Sequence, residues 1–239
     1  MRDLQGKKVV VVGGTSGIGL ATAIEAADLG AEVWAVGRSA ENIEKAKSVA
    51  GEGIHFAQLD VHNLEDFDQL FKDTGKFDHL VSAATGADRT MKPFMEQTAE
   101  QFSEAFNKFW GYTNVVRQGV PHIKPHGSIT LVSGTPARKC NAGMSSVSCV
   151  GNAVEGLGRA LALELAPIRV NVVAPGVIST GMFDWMGEKK DEILEGMTKQ
   201  IPLGRAGQPW EVANAILFFM TTSYATGTCV DVDGGQLLP

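Results

Sequence analysis

The chain has 239 residues, enough for one α/β domain or two small ones, and 44% of them are hydrophobic, enough for a full core. A formal net charge of −6 argues against a nucleic-acid or anionic-membrane surface. No apolar run approaches the roughly 20 residues of a membrane-spanning helix, and the first residues lack signal-peptide anatomy. Three widely spaced cysteines, Cys140, Cys149 and Cys229, fit free thiols with no disulfide frame and no metal site. A cytoplasmic protein is the expectation.

In chain order, the first predicted strand, 8–12, is an apolar run that enters Gly13-Gly14-Thr15-Ser16-Gly17-Ile18-Gly19. An Ala-rich helical pattern, 17–29, leaves this turn, and Gly30 stands where that helix should stop. Strands then follow at 32–36, 54–57, 77–81, 128–132, 168–173 and 228–232, with helices near 40–50, 63–73, 98–119, 145–166 and 209–221. Strands alternating with helices imply parallel pairing with crossovers on both faces. The expected architecture is α/β: a single doubly wound Rossmann-type domain over residues 1–239, with a central parallel seven-stranded sheet. Residues 180–207 break the alternation with Met182, Phe183, Trp185 and Met186, then charges, then Pro202-Leu203-Gly204-Arg205. This segment follows a strand end, where open sheets place ligands, and reads as a mobile lid over a substrate pocket or, more plainly, as a surface helix with core anchors.

A glycine-rich turn between a strand and a helix holds phosphate with its backbone, because glycines let the main chain approach and the first helical amides point at the anion. Gly13, Gly17 and Gly19 form G-x-x-x-G-x-G, and that text resembles the short-chain dehydrogenase/reductase family. The resemblance runs the length of the chain, through Asp60-Val61, through 78–85, through 153–157 and 168–176, to Pro202-Leu203-Gly204-Arg205 and Val232-Asp233-Gly234-Gly235. It implies a nicotinamide dinucleotide held by Gly13, Thr15, Ser16, Gly17, Ile18 and Gly19, with Asp60 and Val61 at the adenine. Ala83 and Ala84 follow the fourth strand, and Pro175, Gly176, Ile178 and Thr180 line the nicotinamide and phosphates. NAD-preferring sites place a carboxylate at the end of the second strand. This chain has Gly37-Arg38-Ser39 there, so Arg38 can pair with a 2′-phosphate and NADP(H) is favoured over NAD(H).

The resemblance also implies a tyrosine that passes a proton, a lysine four residues later that lowers the tyrosine's pKa, a serine that orients the substrate, and an asparagine on the preceding long helix. Free tyrosine has a pKa of about 10, so it needs a nearby cation to work near neutrality. Counting from Glu155 puts the tyrosine at Val147 and the lysine at Gly151; counting from Gly127-Ser128-Ile129 puts the serine at Gly134; counting from Gly111 and Pro121 puts the asparagine at Lys108. No shift of alignment rescues the pair, since the chain's only tyrosines are Tyr112 and Tyr224 and no lysine lies between Lys139 and Lys189.

Two residues are candidates for the missing chemistry. Lys108 faces the space the pair would fill; desolvated beside a cationic nicotinamide, it would give a proton, polarise a carbonyl or pair with a carboxylate. The alternative is that it fills vacated volume and bonds backbone carbonyls. Ser133 adjoins the lost serine, or is a strand-end hydroxyl satisfied by backbone. Arg138 and Lys139, on the following loop, are candidate greeters of an anionic substrate or solvated charges, and Cys149 is a packing residue of a helix interface.

The expected function is therefore an NADP(H)-binding oxidoreductase acting on a small carbonyl or alcohol through a non-standard site. The alternatives are an inactive NADP(H)-binding sensor or scaffold, and non-redox chemistry in the same pocket. The resemblance further implies a homodimer or homotetramer paired through helices 98–119 and 145–166, where Ala153, Leu157, Ala160, Leu161 and Leu165 form an apolar stripe. No nucleic-acid or membrane partner is expected.

Overall fold

Four consecutive valines make the centre of the sheet. In β1 (Lys8–Val12), Val10 and Val12 enter the apolar layer on one face while Val9 and Val11 enter the layer on the other, and all four are buried. The computed structural model describes residues 3–85 and 90–239, and Trp185 by its backbone alone. From β1 the chain runs through α1 (Gly17–Asp28), β2 (Glu32–Gly37), α2 (Ala40–Val49), β3 (Ile54–Gln58), α3 (Leu64–Thr74), β4 (Phe77–Ser82), α4 (Ala99–Gly119) and β5 (Ile123–Val132). It continues through α5 (Ser145–Glu164), β6 (Arg169–Pro175), α6 (Lys190–Thr198), α7 (Pro209–Thr221) and β7 (Cys229–Val232). The strands lie in the order β3-β2-β1-β4-β5-β6-β7, every pair parallel. The expected seven-stranded doubly wound sheet is what the chain forms.

One face packs Phe67, Leu70 and Phe71 of α3, Tyr112 and Val115 of α4 and Val154 of α5 on the sheet. The other packs Ala23 and Ala26 of α1 with Val212, Ile216 and Phe219 of α7. Leu157, Leu161 and Leu165 of the predicted stripe lie against the first of these cores, so much of the stripe is covered within one subunit, while Leu163 is 84% exposed. Among the described residues, no helix is long and apolar enough to cross a membrane.

β5 differs from the sequence expectation, and the 180–207 segment takes the plainer of its two expected forms, a helix with core anchors. β5 begins at Ile123, not at 128, because Phe77 pairs with Ile123 ahead of an irregularity that restarts the pairing at His79 and Ser128. Pro125, with no N–H to give the ladder, and His126, at φ 65°, lie in this interruption, which is why Lys124-Pro125-His126 reads as loop. The 180–207 segment forms 3-10 turns over Gly181–Lys189 and then α6, and it is anchored by buried Leu194, Thr198 and Ile201.

The sheet also carries polar groups inside. His79 Nδ1 and Ser128 Oγ lie 2.9 Å apart on neighbouring strands, both buried. Burial pushes the His79 imidazole down to about 4, with Arg169, Lys7 and Lys124 adding to the effect against Asp78. The Arg169 guanidinium donates to the carbonyls of Phe219, Met220 and Ala225, tying β6 to the end of α7.

Candidate active site

The strand order reverses between β1 and β4, so a crevice opens above their carboxyl ends. The glycine turn fills the floor of that crevice. Gly13 has φ 85°, and a Cβ there would come within 2.7 Å of the Ala83 carbonyl carbon and closer still to the Ala84 amide. A Cβ at Gly19 would run into the Gly13 carbonyl. These glycines are the condition for the turn to close against β4.

α1 starts without a side-chain cap on Ser16 and without an acidic residue in its first turn. Its first helical bond runs from the Leu20 amide to the Ser16 carbonyl, so the amides of Gly17, Ile18 and Gly19 precede the intrahelical ladder at the positive end of the helix. Thr180 stands opposite: its Cβ and Cγ2 lie 3.4 Å from where a Gly17 Cβ would be. A turn of free amides under a threonine fits the diphosphate of a dinucleotide.

The end of β2 fits the rest of such a ligand. A Cβ at Gly37 would collide with the Thr15 side chain, so position 37 has no room for a carboxylate. The next side chain, Arg38, is exposed, and among the described residues it forms no ion pair. Ser39 Oγ accepts from the Asn42 amide to cap α2, which leaves its O–H as a donor. At the end of β3, Asp60 Oδ1 accepts from the His62 amide at 3.0 Å, and the Val61 carbonyl accepts from Asn114 Nδ2 at 3.0 Å. Gly111 of α4 allows this approach, since a Cβ there would be 2.7 Å from Val61 Cγ2.

On the far side, the Gly176 amide donates to the Val232 carbonyl, and buried Ile178 bridges to Gly207. Ile178 also walls a cleft of about 440 Å³ with Pro202, Leu203, Asp233 and Leu238.

Lys108 rises from the middle of α4 to the carboxyl end of β5. Its Nζ lies 3.5 Å from the Ser133 carbonyl and 5.3 Å from the centroid of the Tyr112 ring, one turn further along the same helix face. Tyr112 is itself fixed, buried, with its hydroxyl donating to the Val132 carbonyl at 3.1 Å. An ammonium set on an aromatic face beside the Ser133 carbonyl at the end of β5 is a positioned cation at the crevice. The spacing of Lys108 and Tyr112 was the available signal for this pairing, and sequence reasoning passed over it.

Ser133 is placed differently from the expectation that it meets a substrate. Its hydroxyl donates to the Gly151 carbonyl at 3.1 Å and lies 3.5 Å from Glu155 Oε1, inside the interface with α5. The other two loop candidates are corrected in the same way. Arg138 pairs with Asp231 and with Glu155, and its guanidinium reaches Cys229 Sγ at 3.1 Å. Lys139 Nζ donates to the Gln236 carbonyl. Both cations tie the loop to the C-terminal segment, Arg138 through carboxylates and Lys139 through a backbone carbonyl that leaves its charge uncompensated. Burial, with the nearby Glu155 carboxylate, pushes the Cys229 thiol up to about 12. Cys149 is exposed, not packed within the subunit.

The loop after β5 packs on α5 at the position where sequence reasoning looks for a lysine. Residues Thr135–Ala137 form a single 3-10 turn. The Pro136 carbonyl accepts from Ser148 Oγ, and the Ala137 carbonyl accepts from Asn152 Nδ2. Gly151 is in direct contact with this turn: a Cβ there would stand 2.9 Å from Ala137 Cβ and 3.3 Å from its Cα. α5 contains neither tyrosine nor lysine. Gly134 is roomier, with a virtual Cβ 3.4 Å from Pro136 Cδ.

These features fit a dinucleotide-binding doubly wound domain in which Lys108 of α4 places a cation above the crevice. Residues 12–236 match the enoyl-(acyl carrier protein) reductase family model. A short-chain dehydrogenase/reductase from Stachybotrys chlorohalonatus, ATR9, is 33% identical over 257 aligned residues that cover 100% of both chains. The chain belongs to the short-chain dehydrogenase/reductase family. Two solved structures superpose with a TM-score of 0.90 each. One is the MalC reductase/Diels-Alderase of Malbranchea aurantiaca, 31% identical, with 100% of this chain and 99% of that one covered. The other is an NADPH-bound short chain oxidoreductase of Pseudomonas aeruginosa PAO1 containing an atypical catalytic center, 30% identical, with 99% and 98% covered.

Proposed function

We propose that the chain is an NADP(H)-dependent reductase of small carbonyl compounds in which Lys108 supplies the proton. The observation that carries this reading is the Lys108 ammonium held between the Tyr112 ring and the Ser133 carbonyl at the crevice. The cofactor, when bound, supplies or takes a hydride. Gly13 and the amides of Gly17 to Gly19 would hold its diphosphate, Thr180 would cover it, and Arg38 would take the 2′-phosphate with charge-assisted bonds, Gly37 excluding the carboxylate that an NAD site uses. The NADPH-bound relative with an atypical catalytic center supports both halves of the reading.

As hydride reaches the carbonyl carbon, negative charge grows on oxygen. Lys108 stabilises that charge and then protonates it, a general-acid contribution typically worth about 10²–10⁴-fold. The 180–207 segment would close the pocket on the substrate. Leu163 and Trp110, exposed on α5 and α4, support pairing of two or four copies. The test is NADPH oxidation by the purified protein across aldehydes, ketones and quinones. The expected result is slow turnover of some members. No oxidation by any of them, with NADPH tightly bound, favours a sensor or scaffold instead.

A second reading has one specific observation behind it. The loop after β5 packs on Gly151, the expected lysine position, and a relative of the same fold is a reductase/Diels-Alderase. Non-redox ring formation in this pocket would give product without any change in NADPH absorbance.

A further inference from the structure

We infer that His62 and the small cavity beside it return protons from solvent to Lys108, an inference that rests on the reductase reading above. Carbonyl reduction adds a hydride at carbon, supplied by the reduced nicotinamide, and a proton at oxygen, supplied by Lys108. Each turnover leaves Lys108 as a neutral amine, which has to regain one proton before the next. Lys108 is only partly exposed, and a seated cofactor and substrate would cover its crevice side.

A cavity of about 20 Å³ lies behind it, lined by His62, Thr85, Asn107, Lys108 and Tyr112 together with three small or apolar residues. That volume matches a single water, which needs two to four polar partners, and the lining supplies them. His62 and Asn107 are the exposed members of this lining, and of the two His62 is the one whose side chain carries a transferable proton. Its place is set by the chain on both sides. The His62 amide donates to Asp60 Oδ1, the Asp60 amide donates to Asp66 Oδ2 at 2.9 Å, and His62 Cε1 lies 3.7 Å from where a Gly111 Cβ would be. Gly111 is three residues from Lys108, on the same side of α4. Among the described residues, the titratable groups facing the cavity are His62 from the β3–α3 turn and Lys108 and Tyr112 from α4.

The relay balances without any change of oxidation state. The imidazolium of His62 gives an N–H proton to the cavity water as that water gives one of its own to Lys108 Nζ. One N–H bond breaks at His62, one forms at Lys108, and bulk water or buffer acid re-protonates the imidazole. Imidazole suits the task because one ring nitrogen accepts a proton while the other gives one.

The test uses the full chain with NADPH and whichever carbonyl it reduces, comparing wild type with His62→Ala and His62→Gln. Both variants should lower kcat by about tenfold at unchanged KM, less than the loss of a direct general acid because bulk water partly substitutes. Added free imidazole should restore the His62→Ala rate. Unchanged kcat, or a loss that imidazole does not restore, overturns the relay. A cofactor-free crystal structure gives an independent readout: an ordered water bonded to both Lys108 Nζ and the His62 ring supports the relay, and a site without that bridge overturns it. If the wild type reduces no carbonyl, the reductase reading fails by itself. If it turns over while His62→Ala is as fast, the relay fails alone.

Discussion

Replacing Gly151 by alanine tests whether the loop after β5 has taken over the space beside α5. An ordinary Gly→Ala change inside a helix stabilises by about 0.5–1 kcal/mol, because glycine loses more freedom on folding. Here the new Cβ would sit 2.9 Å from Ala137 Cβ and 3.3 Å from its Cα. The obstacle is not a flexible side-chain tip, because Ala137 is held by its amide on the Gly134 carbonyl and by Asn152 on its own carbonyl. Overpacking of a filled site costs about 1–3 kcal/mol, so the net effect should be a loss of about 1–2 kcal/mol. For a chain of this length that lowers Tm by roughly 2–8 °C.

Gly134→Ala is the control, with its nearest neighbours at 3.4 and 3.8 Å and an extended backbone at φ 168°. It should be neutral or stabilise by about 0.4–1 kcal/mol. Urea unfolding at matched protein concentration measures both. A Gly151→Ala variant as stable as the Gly134→Ala variant would refute the claim that the loop fills this space. By the same geometry, combining Gly134→Ser, Val147→Tyr and Gly151→Lys should lower Tm without creating an ordinary reductase.

Two further predictions concern the cofactor and the core. Arg38→Asp should weaken NADPH binding roughly 10–100-fold, the value of lost charge-assisted hydrogen bonds, while NADH binding changes much less; equal losses for both would remove Arg38 from the 2′-phosphate. His79 is held neutral in the fold, at about 4, so an unfolded chain with an ordinary histidine near 6.5 takes up a proton first as pH falls. Its contribution to stability is therefore complete above about pH 6.5, falls through the interval down to about 4, and amounts to about 3 kcal/mol in all. Denaturant unfolding from pH 7 to 4 should show this loss in the wild type and a shallower slope in His79→Gln; parallel slopes would contradict it.

Much of the fold was legible in the chain because parallel sheets bury both faces of their strands. Val9 to Val12, Val33 to Val36 and Val172 to Ala174 read as continuous apolar runs, and Gly30 ends its helix as expected. The glycine turn was legible for the same kind of reason: Gly13 and Gly19 have no room for a side chain. What escaped the sequence was partnership at long range. Arg138 meets Asp231 across 93 residues and Lys139 meets Gln236 across 97, so both looked like free loop charges. Ser133 looked available until Gly151 and Glu155 were brought against it by α5. The first half of β5 was missed because Pro125 and His126 interrupt the apolar pattern.

The central claim is that Lys108 has become the proton donor of this site. Single-turnover oxidation of bound NADPH by an accepted carbonyl, compared between wild type and Lys108→Ala, tests it most directly when the NADPH Kd is measured alongside. The rate should fall by about 10²–10⁴-fold while NADPH binds with unchanged affinity. A Lys108→Ala protein that oxidises NADPH at the wild-type rate would contradict the account.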